Sequence, residues 1–235
     1  MIVAGSRSQA LAAELAGRTD HDLAAVTYRE FPDGEALVEV EPADADVTDA
    51  VVVAATTSGD AHVEVLQLQD AVRELGAETV TTVLPYMGYA RQDKVFEAGQ
   101  PLSARAVARA VSTGTDRVLV VNPHKEAVCE FFDVPASAVD AAPRLAVGLP
   151  DDLTDPLFLS PDEGAIDLAE AVRDAYGGGE TDYFEKTRHS GESVSIEPRD
   201  APVADRDVVV TDDIVATGTT RSEERRVGKE CIVKC

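Results

Sequence analysis

The chain has 235 residues and a formal net charge of −23, from 44 aspartates and glutamates against 21 lysines and arginines. This balance excludes nucleic-acid binding through a broad basic surface, because such binding needs clustered lysine and arginine to neutralise phosphates. No run approaches about 18 uninterrupted apolar residues and the start of the sequence lacks a leader pattern, so we expect no membrane insertion, no export and a cytoplasmic location.

Strand and helix patterns alternate through the first 122 residues. Short apolar or alternating runs predict strands, and amphipathic runs of about eight residues or more predict helices. The longest helix pattern ends at Gly76, a residue type that commonly follows a helix C-terminus. In chain order we predict a strand at 1–5, a helix at 9–16, strands at 24–31, 35–40 and 50–56, a helix at 62–75, a strand at 78–86, a helix at 103–112 and a strand at 116–122.

The same alternation begins again after about residue 150. It predicts a strand at 157–160, a helix at 162–176, and strands at 181–186, 192–198 and 206–213. Parallel strands joined by helices define an α/β architecture, and we therefore expect two tandem doubly wound domains. We assign residues 1–141 to the first domain and 142–220 to the second, which is expected to be incomplete at its C-terminus.

Polar residues cluster where the last predicted strand ends. Asp212 and Asp213 follow its apolar residues, and carboxylates readily accept hydrogen bonds from sugar hydroxyls. The next stretch is made of small and hydroxyl-bearing residues: Ala216, Thr217, Gly218, Thr219 and Thr220. Main-chain amides at the start of a helix favour a phosphate monoester. The stretch predicts a sugar-phosphate site, and an ordinary strand-to-helix turn with an acidic cap is the alternative.

Lysine is scarce in this acidic chain. Residues 1–220 contain only Lys94, Lys125 and Lys186, and each lies in a stretch that is unusual on other grounds. An acidic protein that binds a polyphosphate must concentrate positive charge locally, so the three lysines indicate an anionic ligand, with chance placement as the alternative. The excess of carboxylates itself favours a halophilic source, because concentrated salt damps the repulsion between them.

Four further stretches, together with the acidic loop, resemble the ribose-phosphate pyrophosphokinase family, also called phosphoribosyl pyrophosphate synthetases, in its archaeal, halophilic type. The loop alone is equally similar to that of type I phosphoribosyltransferases, which lack the N-terminal domain. The stretches follow the family's order and approximate spacing: FPDGE at 31–35, PYMGYARQDKVFEAGQPLS at 85–103, NPHKEAVCEFFDVP at 122–135 and SPDEGA at 160–165. The resemblance covers residues 1–220.

The resemblance implies a fold of two type I phosphoribosyltransferase-like domains and a reaction. The reaction is transfer of the diphosphoryl group of ATP to the C1 hydroxyl of ribose 5-phosphate, giving phosphoribosyl pyrophosphate and AMP, with Mg²⁺ as cofactor. It also implies a homo-oligomer in which the nucleotide site is completed across subunits. Two other functions stay open from the residues: a phosphoribosyltransferase acting on a nucleobase, and a non-catalytic regulatory subunit of the same fold.

The resemblance assigns the nucleotide site to two of these stretches. Asp33, Gly34 and Glu35 inherit the role of the family's DGE segment, and Arg91 and Gln92 that of its RQ segment. A guanidinium is chemically suited to phosphate, and a carboxylate to the amino group of adenine. As local sequence, the segment at 31–35 is only a turn before a strand.

His124 and Asp162 are the metal-site residues that the resemblance implies. Family members commonly have an acidic residue where Asn122 stands, so the set around His124 has less charge here than is usual. Mg²⁺ prefers oxygen ligands, which makes Asp162 the better candidate. The alternatives are a histidine that satisfies local main-chain groups and an aspartate that caps a helix.

Lys186 and Arg188 alternate along a predicted strand and should therefore share one face. The resemblance makes them catalytic, stabilising charge on the transferred diphosphoryl group and on the AMP leaving group, and it also gives Arg188 a contact with ribose 5-phosphate. Such transfer depends mainly on positioning and electrostatic stabilisation. The stretch HSGES at 189–193 is either a mobile lid or a plain exposed hairpin.

Residues 221–235 differ from the rest of the chain. They carry two of the five lysines and two of the three cysteines, and they show no amphipathic pattern that would complete a core. The stretch closely resembles the translation of a sequencing-adapter oligonucleotide. We therefore expect a non-native read-through tail on a truncated gene, with a genuine divergent tail as the alternative.

Overall fold

A computed structural model describes residues 1–42, 47–189, 193–197, 203–214 and 231–233. Side chains are described within 1–42, 47–184 and 203–214, and the backbone alone in the other ranges. The chain divides into two compact units, Met1–Val139 and Asp140–Cys235. The division falls just before the boundary that the sequence analysis places between residues 141 and 142.

The first unit is built on a parallel sheet. Its strands are β1 (Ile2–Ala4), β2 (Val26–Glu30), β3 (Ala36–Val40), β4 (Asp49–Val53), β5 (Thr79–Leu84), β6 (Arg117–Val121) and β7 (Ala136–Val139). Its helices are α1 (Gln9–Ala16), α2 (Gly59–Glu74) and α3 (Ser103–Ser112), with a 3₁₀ helix at Glu126–Phe131. Five strands pair in parallel in the order β1-β4-β5-β6-β7, as expected for an α/β fold.

The strands β2 and β3 form a separate antiparallel hairpin, and one side chain of α2 hydrogen-bonds twice to β3. The Gln67 amide donates to the carbonyl of Ala36 at 2.8 Å and accepts from the N–H of Val38 at 3.0 Å. Because both groups belong to β3, one glutamine fixes the strand against the helix. The hairpin turn is thereby anchored to the main body of the unit.

Three elements of this unit differ from the prediction, and one of them is the 3₁₀ helix at Glu126–Phe131, which was not predicted. Helix α2 begins at Gly59 rather than at residue 62, because the Ser58 hydroxyl accepts a hydrogen bond from the N–H of Ala61 and so caps an earlier turn. Strand β7 was not predicted, since its four residues alternate between half-buried and exposed positions and give no apolar run. It is the edge strand beside β6.

The core of the first unit is mostly aliphatic and lies between the sheet and its helices. Val52, Val65, Leu68 and Val80 are completely buried there. Gln69 is buried among them, and its amide donates to the Thr82 hydroxyl at 2.8 Å and to a carbonyl of α3 at 3.0 Å. Among the residues that the structure describes, no helix combines the length and apolar character needed to cross a membrane.

Asp116, just before β6, joins two neighbouring segments through one carboxylate oxygen. Its Oδ2 accepts from the N–H of Val80 at 2.7 Å and lies 2.6 Å from the guanidinium of Arg73. The pKa of Asp116 is lowered below its ordinary value, chiefly by the hydrogen bond from the Val80 amide. Burial raises the pKa, but Val80 and Arg73 together outweigh burial. The ionised carboxylate is therefore favoured by folding.

We expect Asp116→Ala to lower the free energy of unfolding by about 1–2 kcal/mol near neutral pH. The Arg73 and Asp116 side chains are 31% and 52% exposed, so most of the loss comes from the Val80 amide rather than from the ion pair. Because the folded pKa lies below the unfolded one, this stabilisation is present above about pH 4 and is lost as the pH falls further. Urea unfolding at about pH 7 and about pH 3 measures it. Asp20→Ala, at an exposed aspartate, is the control, and an equal loss at both pH values would contradict the assignment.

The second unit contains a smaller parallel sheet and a hairpin. Its strands are β8 (Leu157–Ser160), β9 (Glu180–Tyr183), β10 (Glu185–His189), β11 (Ser193–Glu197), β12 (Val208–Val210) and β13 (Cys231–Val233). Its helices are α4 (Ala142–Ala146) and α5 (Ile166–Tyr176), with a 3₁₀ turn at Glu163–Ala165. Four strands pair in parallel in the order β13-β12-β8-β9, and β10 pairs with β11 in antiparallel fashion.

Several features of the second unit depart from expectation. Helix α4 was not predicted, and the strand predicted at 181–186 is divided between β9 and β10. The helix predicted from residue 162 begins at Ile166, because the preceding turn is 3₁₀. The tail at 221–235 was expected to have no place in the fold, yet Cys231–Val233 pairs in parallel with β12 over three residues. Pairing at a sheet edge uses main-chain groups, so it does not require the side-chain pattern that the tail lacks. The other tail residues lie outside the described ranges.

Candidate active site

In the first unit, polar loops follow the neighbouring strands β4, β5 and β6. Because these strands are parallel, the loops at their carboxyl ends lie along one edge of the sheet, where ligands of doubly wound folds bind. Arg91 and Gln92 belong to the loop after β5, and His124 belongs to the loop after β6. Three predicted site residues are therefore carried by adjacent loops of one edge.

The loop after β5 rests directly on the loop after β4. The N–H of Gly88 donates to the Thr56 hydroxyl at 2.9 Å, and the N–H of Thr56 donates to the carbonyl of Tyr86 at 2.9 Å. A Cβ at position 88 would lie 2.2 Å from the carbonyl oxygen of Thr56, so only glycine allows this approach. Main-chain packing thus fixes where the segment that carries Arg91 begins.

The loop after β5 turns at Tyr89, whose backbone is in the left-handed region and which precedes the predicted nucleotide residues Arg91 and Gln92. Tyr89 has φ +64°, uncommon for a residue with a side chain, and its carbonyl accepts from the N–H of Gln92 at 2.9 Å. The side-chain amide of Gln92 donates to the side-chain oxygen of Gln100 at 3.3 Å. The main-chain carbonyl of Gln92 accepts from the N–H of Ala104, at the start of α3, at 3.2 Å. Arg91 is exposed, and within the described residues it has no hydrogen-bond or ion-pair partner. Its guanidinium is available to an anion.

An ion pair connects the loops after β5 and β6. The ammonium of Lys125 lies 3.1 Å from the carboxylate of Asp93, which is only 15% exposed. Burial opposes ionisation of Asp93, but Lys125 outweighs it and lowers the pKa of the carboxyl below its ordinary value. The two partners adjoin Gln92 and His124 in sequence, so the pair joins the predicted nucleotide and metal loops. The charge of Lys125 is thereby shared with a protein carboxylate.

The other predicted nucleotide residues lie on the hairpin turn between β2 and β3. Asp33, Gly34 and Glu35 are all exposed, Gly34 has φ +89°, and the N–H of Glu35 donates to the Asp33 carboxylate at 3.3 Å. Within the described residues, no hydrogen bond or ion pair joins this turn to Arg91 or Gln92. The structure therefore does not bring the two halves of the predicted nucleotide site together through direct contact in one chain.

In the second unit, the acidic pair lies at the carboxyl end of β12. Thr211 continues the strand by donating its N–H to the carbonyl of Leu159 on β8 at 2.9 Å, and Asp212 and Asp213 follow half-buried. Burial, and then the neighbouring Asp213 carboxyl, raise the pKa of Asp212 to about 6. Two carboxyls held side by side in this way are suited to accept hydrogen bonds from the adjacent hydroxyls of a sugar.

Asp162 follows the next strand of the same sheet. Its main-chain carbonyl accepts from the Ser160 hydroxyl at 2.6 Å and from the N–H of Ala165 at 3.2 Å, which fixes the turn after β8. It occupies the N-cap position of the 3₁₀ turn, but its side chain makes no capping hydrogen bond. Asp162 thus has the position of a helix cap but does not make the side-chain hydrogen bond of one. Since β8 and β12 are parallel neighbours, Asp162 and the acidic pair follow adjacent strands at one edge.

The two predicted metal residues differ in how well they suit Mg²⁺. In the part of the chain that the structure describes, no three histidine, cysteine, aspartate or glutamate side chains are grouped closely enough to hold a metal. Mg²⁺ is usually bound by one or two carboxylates, several waters and the phosphates of a substrate. Asp162 fits that pattern. The imidazole of His124 does not fit as a direct ligand, although it can hydrogen-bond to a metal-bound water.

The predicted catalytic residues lie on β10. The backbone register pairs Lys186 with Ile196 and Arg188 with Val194, so the two positions lie two residues apart in one strand of the hairpin. The phosphate loop, at positions Ala216, Thr217, Gly218, Thr219 and Thr220, lies outside the described residues. So do residues 190–192, which hold most of the predicted lid.

Sequence reasoning missed two residues that shape the edge of the first unit. The hydroxyl of Thr56 accepts a hydrogen bond from the N–H of Gly88. The ring of His62, in the first turn of α2, contacts the ring of Tyr89, with 5.4 Å between the two centroids. The available signal was the polar run at 56–58 after a strand of valines and alanines. The sequence analysis assigned no role to this run.

The chain was compared with known protein families and proteins. A family model described as the N-terminal domain of ribose phosphate pyrophosphokinase matches residues 1–114. A ribose-phosphate pyrophosphokinase of Halobacterium salinarum is 66% identical over 223 residues, which are 95% of this chain and 79% of that protein. The corresponding protein of Methanopyrus kandleri is 42% identical over 229 residues, covering 96% of this chain and 78% of its own length.

A solved structure is similar over nearly the whole chain. The crystal structure of phosphoribosylpyrophosphate synthetase from Mycobacterium smegmatis superposes with a TM-score of 0.77 at 30% sequence identity. The match covers 99% of this chain and 79% of that one. The parallel-sheet α/β fold is thereby shared with a synthetase of known structure.

Proposed function

The chain belongs to the ribose-phosphate pyrophosphokinase family, and from this premise we propose that it transfers the diphosphoryl group of ATP to ribose 5-phosphate. The C1 hydroxyl oxygen forms a bond to the β-phosphorus, the bond from that phosphorus to the oxygen of the α-phosphate breaks, and the hydroxyl proton is released. The products are phosphoribosyl pyrophosphate and AMP. The carboxyl pair Asp212 and Asp213 beside the Asp162 turn is the observation that carries the proposal, because it suits a sugar next to a metal-bound phosphate.

The second unit is proposed to hold ribose 5-phosphate. Asp212 and Asp213 accept hydrogen bonds from the ribose hydroxyls, which fixes the orientation of the C1 hydroxyl. The small residues at 216–220 supply main-chain N–H groups for the 5-phosphate. Arg188 adds a cationic contact to the same ligand.

The first unit is proposed to hold ATP. The exposed guanidinium of Arg91 binds phosphate, and Gln92 supports the same segment through its contacts with the start of α3. The turn at 33–35 is fully exposed, and no described contact joins it to Arg91. These two facts support a homo-oligomer in which Asp33, Gly34 and Glu35 complete the nucleotide site of a partner copy.

Mg²⁺ is the proposed cofactor. When bound, it neutralises charge on the diphosphoryl group and orients the phosphates of ATP. In the second unit, Asp162 would supply a carboxylate to the metal. In the first unit, His124 would hydrogen-bond to a metal-bound water. Lys186 and Arg188 stabilise the charge that develops on the transferred group and on the departing AMP.

The test is AMP formation from ATP and ribose 5-phosphate with Mg²⁺, at high KCl concentration and without a nucleobase. High salt is chosen because the net charge of −23 supports a protein that works in concentrated salt. We expect AMP and phosphoribosyl pyrophosphate in equal amounts. Absence of AMP here, with nucleotide and pyrophosphate formed when phosphoribosyl pyrophosphate and a nucleobase are supplied instead, would support a phosphoribosyltransferase. Nucleotide binding without turnover would support a regulatory subunit.

A further inference from the structure

His62 occupies an unusual position for a polar side chain. It lies in the first turn of α2, and its Nδ1 is 2.8 Å from the carbonyl oxygen of Ser58. A carbonyl only accepts hydrogen bonds, so Nδ1 carries the proton, and in the neutral ring Nε2 is then an acceptor. Nε2 is buried and has no hydrogen-bond partner among the described residues. Leaving a buried acceptor unpaired is unfavourable, so the presence of histidine here needs an explanation.

The contacts of the imidazole ring explain why an aromatic side chain occupies this position. The imidazole meets the ring of Tyr89 at 5.4 Å between centroids and at 58°, the tilted arrangement that aromatic pairs prefer. Its Cε1 atom would lie 3.0 Å from a Cβ at position 88. The imidazole therefore lies against both the main chain of Gly88 and the side chain of Tyr89. No apolar core surrounds Tyr89, which is 54% exposed.

The backbone conformation of Tyr89 sets the direction of the segment that carries Arg91 and Gln92. Its left-handed φ of +64° is unfavourable for a side-chain-bearing residue, so the neighbouring structure must maintain it. Its carbonyl closes the turn by accepting from the N–H of Gln92. A change of φ at Tyr89 would redirect Arg91 and Gln92 together. A contact that holds the tyrosine ring in place thus acts on both.

We propose that His62 is a positioning residue for ATP binding, which holds Tyr89 in its left-handed turn through ring-to-ring contact. The inference rests on the proposed nucleotide role of Arg91 and Gln92. The ring performs this role and its unpaired Nε2 does not, so an aromatic ring without nitrogen atoms can replace it. A flexible aliphatic chain of similar volume fills the space but offers no flat face or edge to Tyr89.

The test compares His62→Leu, His62→Phe and His21→Leu, the last being the same replacement at a histidine away from this edge. We expect His62→Leu to raise the dissociation constant and the KM for ATP about threefold to tenfold. The KM for ribose 5-phosphate and the melting temperature should change little. We expect His62→Phe to stay within about twofold of the unchanged protein, because it keeps the ring and removes the unpaired Nε2. It also removes the bond from Nδ1 to the Ser58 carbonyl, but that carbonyl still accepts from the N–H of residue 62 at 3.2 Å.

Three outcomes would overturn the role of His62. One is an unchanged ATP dissociation constant in His62→Leu, and another is equal weakening of both substrates with a lowered melting temperature, which indicates general destabilisation. The third is a loss in His62→Phe as large as in His62→Leu. Arg91→Ala distinguishes a failure of the His62 proposal from a failure of the proposed nucleotide site. If Arg91→Ala leaves the affinity for ATP unchanged, the nucleotide site is misassigned, and the role of His62 is then wrong as well.

Discussion

Lys186→Ala is expected to lower kcat by about 100-fold to 1,000-fold while changing the dissociation constant for ATP by less than about threefold. Diphosphoryl transfer spreads charge over the phosphate oxygens as the bond to the AMP oxygen breaks. An ammonium that meets this charge mainly in the transition state contributes to turnover rather than to binding. Lys186 is on β10, two residues from Arg188 and on the same face of the hairpin.

Single-turnover AMP release and calorimetric ATP binding measure the two quantities separately. Thr187→Ala is the matched control, because the strand alternation turns position 187 to the opposite face of β10. Both parameters should stay near those of the unchanged protein in this variant. An equal loss of kcat and ATP affinity in Lys186→Ala would mean that the lysine contributes only to binding of the ground state.

The affinity for ribose 5-phosphate is expected to rise as the pH increases through about 6, where the pKa of Asp212 lies. An ionised carboxylate accepts hydrogen bonds more strongly than a neutral acid. Near pH 8, Asp212→Asn should weaken ribose 5-phosphate about 10-fold to 100-fold, because it replaces a charged acceptor. Asp213→Asn should move the midpoint for Asp212 to lower pH, since it removes the neighbouring charge.

The ligand itself complicates this titration, because the 5-phosphate loses its second proton near pH 6. Asp212→Asn retains the titration of the ligand alone, so the difference between the two pH profiles isolates Asp212. Calorimetric titration between about pH 5 and about pH 8 provides both curves. Identical profiles for the two proteins would contradict a role for Asp212 at the sugar.

The same carboxyl has an opposite effect on stability. Its folded pKa of about 6 exceeds the ordinary value of 3.8, so the folded chain binds the proton more tightly than the unfolded chain. Stability therefore falls as the pH rises from about 4 to about 6, and the penalty persists above that range. Asp212→Asn should consequently unfold at higher urea concentration than the unchanged protein near neutral pH. A carboxylate that we propose to bind the sugar is here retained at some cost to the fold.

The α/β architecture follows from the sequence because buried parallel strands consist of short apolar runs. Residues 50–53 and 208–210 are valine-rich, and both form central strands. Strand β7 could not be found this way, since an edge strand half-exposed to solvent has no such run. The start of α2 was misplaced for a different reason, because capping by Ser58 depends on a side-chain conformation that periodicity does not report.

The candidate site was predictable where one residue type carries the chemistry. A carboxyl pair after a valine strand is visible as letters and lies at a strand end in the structure, whereas Arg91 was singled out only by the family resemblance. The ion pair between Asp93 and Lys125 was not predictable in this way, because it joins residues distant in sequence and depends on the pairing of β5 with β6. The role of His62 depends on a backbone angle at Tyr89, which composition does not encode.

The contact between Thr56 and Gly88 consists of a main-chain approach and neutral hydrogen bonds. Dissolved ions screen charges but do not weaken such contacts directly, whereas they do weaken an exposed pair of charges. The spacing between the loops after β4 and β5 is thus set by groups that are indifferent to ionic strength. A change in ionic strength is therefore expected to leave this spacing unchanged, even where it weakens the partly exposed ion pair between Lys125 and Asp93 on the other side of the loop after β5. The loop that carries Arg91 is thus held by one contact that responds to salt and by one that does not.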